Sequence, residues 1–360
     1  MHVPDGFLDA STSVATAAVA VGAVGLAMRR AERELDETGP ALPGLAAAFV
    51  FAVQMVNFPV GAGTSGHLLG GALAAALVGP WTAMLVMSTV LVVQALLFAD
   101  GGLTALGTNV TLMGVVAVAV GYAVTRAALA VLPRRPRSVV PAAAAGALCS
   151  VPAAALAFTG LYAIGGAVPV PLGTLAGAMV GWHVLIGVGE ALITAAVLAA
   201  VVATRPDLVA AVRRSAGRPV LLDDAGHPLS RAPHPGAEPA RAATRDGGAG
   251  TGRRGPVLTG LLGALVVGGL VSLAASAHPD GLEFVARTLG FDGAAQKSPV
   301  AGGPLADYAV AGLDGAAAAS LSGVLGVMVT VVAGIVVAAL ARRRRARRAG
   351  EPARTADAGG

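Results

Sequence analysis

The sequence predicts an all-α polytopic membrane protein: a seven-helix bundle followed by a two-helix module, with the N-terminus extracytoplasmic. Three observations lead there. Of the 360 residues, 55% are apolar and only 12% charged, whereas charged residues make up about 25% of an ordinary soluble domain. Apolar runs recur that approach or exceed the roughly 20 residues needed to cross a bilayer. The basic residues are also segregated. With the N-terminus placed outside, all of the 25 Lys and Arg except Arg287 and Lys297 fall on the inner side, which is the positive-inside pattern.

Seven spans are predicted in the first unit, residues 1–204, near 12–28, 41–59, 66–79, 81–99, 108–132, 139–165 and 173–203. The third is short and glycine-rich, so a tilted or re-entrant course suits it. Residues 205–255 are rich in Pro, Gly and Arg and poor in apolar side chains. Such a composition cannot bury enough surface to offset ordering, and a disordered cytoplasmic linker is expected. A second unit, 256–341, carries spans near 256–276 and 318–341 joined by an outer loop of about 40 residues, a size read from the span edges. The tail, 342–360, opens with Arg342-Arg343-Arg344-Arg345-Ala346-Arg347-Arg348. This cluster can anchor the topology or contact anionic lipid.

The excess of cations does not indicate a nucleic-acid partner, because the arginines sit at helix ends and in the linker. Cys149 is the only cysteine, which rules out an intrachain disulfide and suits a small buried apolar residue. No basic region precedes the first apolar run, so a cleavable signal peptide is not expected. No repeat suggests the paired halves of a secondary transporter.

The chemistry concentrates at the start, Met1-His2-Val3-Pro4-Asp5-Gly6-Phe7. A histidine at position 2 of a free N-terminus can chelate a late transition metal. The Met1 amine, the His2 amide nitrogen and His2 Nδ1 close a five-membered and a six-membered ring in one plane, leaving a fourth in-plane position open. Square-planar nitrogen sites suit Ni(II) or Cu(II), and imidazole also serves cobalt and zinc. A chance histidine in a mobile terminus is the alternative. Among the six histidines, His67 lies in Gly61-Ala62-Gly63-Thr64-Ser65-Gly66-His67-Leu68, at the outer end of the third span. It can supply the fourth nitrogen or cap a short helix, and the residues leave both open. His183 and Glu190 lie seven apart on one face of the seventh span. With Asn57, Gln94 and Asn109 they can form a structural polar network or orient metal ligands. His227 and His234 fall in the linker and are expected to be solvated; His278 opens the outer loop.

Several of these motifs, in order, resemble the substrate-specific membrane component of cobalt and nickel energy-coupling-factor transporters, the CbiM/NikM family. They are Met1 to Leu8, Asn57-Phe58-Pro59, Gly63 to Leu68, Gln94 to Gly102 and Trp182 to Glu190. The resemblance covers about residues 1–205. His278-Pro279-Asp280-Gly281-Leu282-Glu283 and Pro304-Leu305-Ala306-Asp307-Tyr308 are similar to the PDGLE form of the two-span accessory subunit of the same transporters. The resemblance implies a fusion of both subunits. It also implies that Met1, His2 and His67 bind Co2+ or Ni2+ as transported substrate, with no resident cofactor. A transmembrane coupling subunit and cytoplasmic ATPase subunits are the implied partners.

The residues themselves supply no ATPase. A phosphate-binding loop needs Gly-Lys-Ser/Thr after a glycine-rich turn, and the sole lysine, Lys297, lies in an outer loop. Nor does the chain read as an enzyme: it has no His-Glu-x-x-His zinc motif. A passive or proton-coupled metal transporter is the other reading, although the spans offer few ionisable groups for a path. In-plane amide coordination leans towards low-spin Ni(II), with cobalt left open.

Overall fold

The computed structural model describes residues 1–215 and 254–349. Helix α1 (Ala10–Arg30) opens at Asp9, whose carboxylate accepts the Thr12 N–H at 2.7 Å, and closes on Arg29 and Arg30. The cap satisfies an amide with no partner inside the helix, and the cations suit the negative end of its dipole. Short α2 (Glu32–Thr38) leads into α3 (Ala41–Gln54). An antiparallel hairpin follows, β1 (Phe58–Gly61) with β2 (Thr64–Gly66). Helix α4 (Gly71–Val78) is buried along its whole length and lies between Gly70 (φ 86°) and Gly79 (φ 95°). These backbone angles favour glycine and let the chain turn sharply at both ends.

Helix α5 (Pro80–Val93) begins with a proline, tolerated where no N–H is needed, and ends in a π-helical turn, Gln94–Phe98. Short α6 (Leu106–Asn109) passes through a second π segment, Val110–Val116, into α7 (Ala117–Val131). Helices α8 (Val139–Gly165) and α9 (Leu172–Thr204) pack along each other, and α7 lies against α8. After α10 (Ala210–Ser215), the second unit contributes α11 (Arg254–Gly269), the loop helix α12 (Gly281–Leu289) and α13 (Gly315–Ala349). Helices α11 and α13 pack on α3, α13 also meets α5, and α12 rests on α9 and β2.

Among the described residues, seven helical segments are long and apolar enough to cross a membrane. They are Ala10–Arg30, Pro80–Phe98, Leu106–Val131, Pro136–Gly165, Leu172–Thr204, Val257–Ala274 and Gly315–Arg343. The chain is thus an all-α multi-pass membrane protein, but two of the nine expected spans are shorter than predicted. In place of 41–59 stands the 14-residue α3, and in place of 66–79 the eight-residue α4. At 1.5 Å per residue, α4 is only ~12 Å long against a hydrocarbon core of ~30 Å. The cause is local: the proline and glycines of 59–70 turn the chain into a hairpin whose tip, 61–63, is exposed, and then into an extended stretch, 64–70, that is buried in the bundle.

The start of the expected linker is also ordered. Residues 206–208 form a 3₁₀ turn, and α10 packs on α4 with Val209, Ala210 and Val212 buried. Arg214 reaches the buried Glu34 at 2.7 Å, and Glu34 also accepts the Thr82 N–H at 2.8 Å. Burial pushes the Glu34 carboxyl up; the Thr82 amide and Arg214 oppose this. The rest of that linker, 216–253, with His227 and His234, and the tail from 350 lie outside the described residues.

Candidate metal centre

The N-terminal segment threads into one end of the bundle, next to the loop that carries α12. Val3 is fully enclosed, and its main chain is bound on both sides by Asn109: Val3 N–H donates to Oδ1 at 2.8 Å and Nδ2 donates to Val3 O at 3.0 Å. Gly102 N–H donates to the same carbonyl at 2.9 Å. The buried Asp5 carboxylate accepts the N–H groups of Leu103, Thr104 and Ala105 and the Thr104 hydroxyl. Asp5 O accepts Gln296 N–H from the second unit at 2.8 Å. Free termini are ordinarily mobile, so these bonds offset the entropy of fixing this one.

They deliver the Met1 amine, buried, against His67 Nε2. His67 Nδ1 lies 3.0 Å from Leu68 O. A carbonyl only accepts, so Nδ1 carries the proton and the Nε2 lone pair points at the amine. The His2 ring stacks on His67 with centroids 5.0 Å apart. Its Nε2 lies 3.2 Å from Gln94 Oε1 and its Nδ1 lies 3.2 Å from Asp100 Oδ1. Burial lowers the His2 pKa to about 4, with Asp100 pulling the other way and His67 and the amine adding to the fall. The imidazole is therefore neutral at pH 7, the form that binds metal. Among the described residues no group of three or more His, Cys, Asp or Glu converges as a metal centre. A nitrogen set here has to draw on the amine and the main chain.

The second unit closes over this cluster. Asp280 Oδ2 lies 3.0 Å from the Met1 amine and 3.7 Å from His67 Nε2. Burial pushes the Asp280 carboxyl up, but the amine and His67 outweigh it and hold it well below the usual range. Asp280 also caps α12, accepting Glu283 N–H at 2.8 Å. Gly281 sits so close to α9 that a Cβ there would meet Ile186 at 2.8 Å and the His183 ring at 3.2 Å. Ser65 N–H and hydroxyl donate to Pro279 O and His278 O, at 2.8 and 2.7 Å, tying β2 to the same loop.

Of the residues expected to orient ligands, Gln94 does contact His2. Glu190 accepts Leu69 and Gly70 N–H at 2.7 and 3.2 Å and so fixes the backbone next to His67. His183 is fully buried, with Nδ1 2.7 Å from Met179 O and Nε2 unpartnered. Asn57 is not brought to the cluster by its side chain; its carbonyl accepts Ser276 N–H at 2.7 Å, as part of the seam between the units. Sequence reasoning placed Asp100, Asp280 and Tyr308 in motifs without giving them contacts to the site. For Asp280 the local signal is Asp-x-x-Glu, a helix-start pattern.

A family described as the cobalt uptake substrate-specific transmembrane region (CbiM) matches residues 2–208, and a PDGLE domain matches residues 254–343. The chain belongs to the CbiM family. A fused NikMN protein of Archaeoglobus fulgidus is 32% identical to this CbiM-type chain over 353 residues, covering 95% of this chain and 99% of the relative. The fused nickel transport protein NikMN of Rhodobacter capsulatus is 36% identical over 233 residues, covering 60% and 66%. A crystal structure described as a transition metal transporter superposes with a TM-score of 0.50 at 32% identity, covering 56% of this chain and 92% of that one. The CbiM-type chain is thus a membrane component of cobalt or nickel transport, not an enzyme, and a multi-pass protein of the cell membrane.

Proposed function

We propose that this chain is the substrate-specific component of an energy-coupling-factor importer, and that it captures Co2+ or Ni2+ from outside. The ligands are the Met1 amine, the His2 amide nitrogen, His2 Nδ1 and His67 Nε2. The single observation that carries this reading is the burial of the Met1 amine against the lone pair of His67, with the His2 ring stacked alongside. His2 Nδ1 now faces Asp100 and turns from that carboxylate to the ion on binding. The charge pattern supports an outer location for the site, and separate coupling and ATPase subunits supply the energy.

The planar set includes an amide nitrogen, a strong-field donor that favours low-spin Ni(II). The test is metal content of the chain purified with its native N-terminus. Wild type is expected to hold nickel or cobalt near one ion per chain. Insertion of one glycine between Met1 and His2, which breaks the ring arrangement while keeping every side chain, and His67→Ala should each abolish retention. Undiminished metal in both variants would refute the site.

A further inference from the structure

At the end of the bundle opposite the N-terminal cluster, four arginines line one cleft. It holds about 440 Å3, within the roughly 300–1,000 Å3 of ligand pockets. Arg126 comes from α7, Arg134 and Arg135 from the turn after it, and Arg214 from α10. Tyr122 is shared by two of them: Arg126 Cζ lies 6.0 Å and Arg214 Cζ 5.8 Å from its ring centroid. Among the described residues no carboxylate lines the cleft. Arg214 is paired with Glu34, whereas Arg126, Arg134 and Arg135 form no ion pair among the described residues. Four cations against one carboxylate leave a positive surplus that an anion would relieve. Guanidinium groups recognise phosphate oxygens through their paired N–H donors.

The walls favour a lipid phosphate over a free one. Ala75 of α4 and Leu129 of α7 give the cleft an apolar side. Helix α7 completes a membrane span, Leu106–Val131, so the cleft lies at the level where the hydrocarbon core gives way to headgroups. The exposed face of α7 runs through Ala119, Ala123, Ala127 and Ala130, and Arg126 stands exposed among them. An arginine five residues inside the end of a span is costly without a partner. A free phosphate would engage the arginines and leave the apolar side bare; a phospholipid covers both. Basic pockets between membrane-spanning helices take anionic headgroups in this way.

We propose that this cleft binds an anionic phospholipid, with its phosphate among Arg126, Arg134, Arg135 and Arg214 and its acyl chains along the exposed face of α7. The lipid thereby joins α7 to α10 through arginines of both helices, at the point where α10 packs on α4. The site is separate from the metal centre and does not depend on which ion is carried there.

The test uses the full chain, stripped of lipid in a nonionic detergent. Binding of phosphatidylglycerol, phosphatidylcholine and inorganic phosphate is read by native mass spectrometry as each is titrated in. Wild type is expected to saturate with a single tightly held phosphatidylglycerol and to hold phosphatidylcholine about 10-fold more weakly. Arg126→Gln/Arg134→Gln should weaken phosphatidylglycerol binding about 30-fold, from ~5-fold for each charge beside a headgroup. Arg342→Gln/Arg343→Gln removes the same charge from α13 and should leave binding within about twofold of wild type. All four of these arginines are exposed, so neither pair of substitutions opens a buried contact. Unchanged binding in the first variant, or an equal loss in the second, overturns the proposal. Inorganic phosphate binding over the same concentrations as phosphatidylglycerol would assign the cleft to a free anion, and equal binding of phosphatidylcholine would assign it to apolar contact alone; either result overturns it too.

Discussion

At the scale of single residues, the terminus behaves as a buried structural element. His2 titrates near 4 in the folded chain against about 6.5 in an unfolded one. Its docked form therefore binds fewer protons than its released form between these values. Lowering the pH from 6.5 towards 4 drives release, and above 6.5 the penalty is absent. An NMR titration of the metal-free chain is expected to show a His2 midpoint near pH 4; a midpoint near 6.5 would mean that the ring is solvated. Asn109 is the second test. It binds both main-chain groups of Val3, so Asn109→Ala should weaken docking of the terminus by about 2 kcal/mol, from two buried hydrogen bonds. Chemical acetylation of the Met1 amine then becomes roughly 30-fold faster, as local opening becomes easier.

Among elements, the short α4 and the hairpin before it matter most. They bring His67 to the end of the bundle where the Met1 amine lies, and Glu190 on α9 holds the backbone on which His67 sits. At the opposite end, α10 closes the bundle through Arg214 and Glu34. Glu34 is 8% exposed and Arg214 is partly exposed. Arg214→Ala leaves a buried carboxylate with only the Thr82 amide. The expected cost is about 2 kcal/mol, below the usual value for a fully buried pair because solvent already reaches the arginine. It is measurable as a lower Tm of the detergent-solubilised chain. No change in Tm would show that α10 adds nothing to the bundle.

For the whole molecule, the two units share one seam at the N-terminal cluster and one helical interface. Helices α11 and α13 pack on α3 within the bundle, while the loop carrying Asp280 and Tyr308 covers the N-terminal cluster. Residues 1–215 and 254–360 produced as separate chains are therefore expected to co-purify and to retain Ni2+ as the joined chain does. Recovery of the first part alone would show that covalent linkage holds the units together. Concentrative uptake should in turn require the coupling and ATPase subunits, since this chain has no phosphate-binding loop; uptake against a gradient by vesicles holding this chain alone would argue for another energy source.

The sequence by itself determined the membrane class, the long spans and the orientation proposal, because apolar length and arginine placement are local quantities that need no tertiary knowledge. It also singled out Met1, His2 and His67, since a chelating terminus and a histidine in a glycine-rich turn are visible as residue types in order. Tertiary structure alone decided that α4 stops after eight residues, and that Asn57 joins the seam between units by its carbonyl. It also decided that Asp280, Asp100 and Tyr308 gather around the terminus. Asp280 and Tyr308 lie more than 200 residues along the chain from His67, and Asp100 lies 98 residues from His2. Their meeting depends on how α12 seats on α9 and how Tyr308 stacks on Phe98, and no spacing along the chain encodes it.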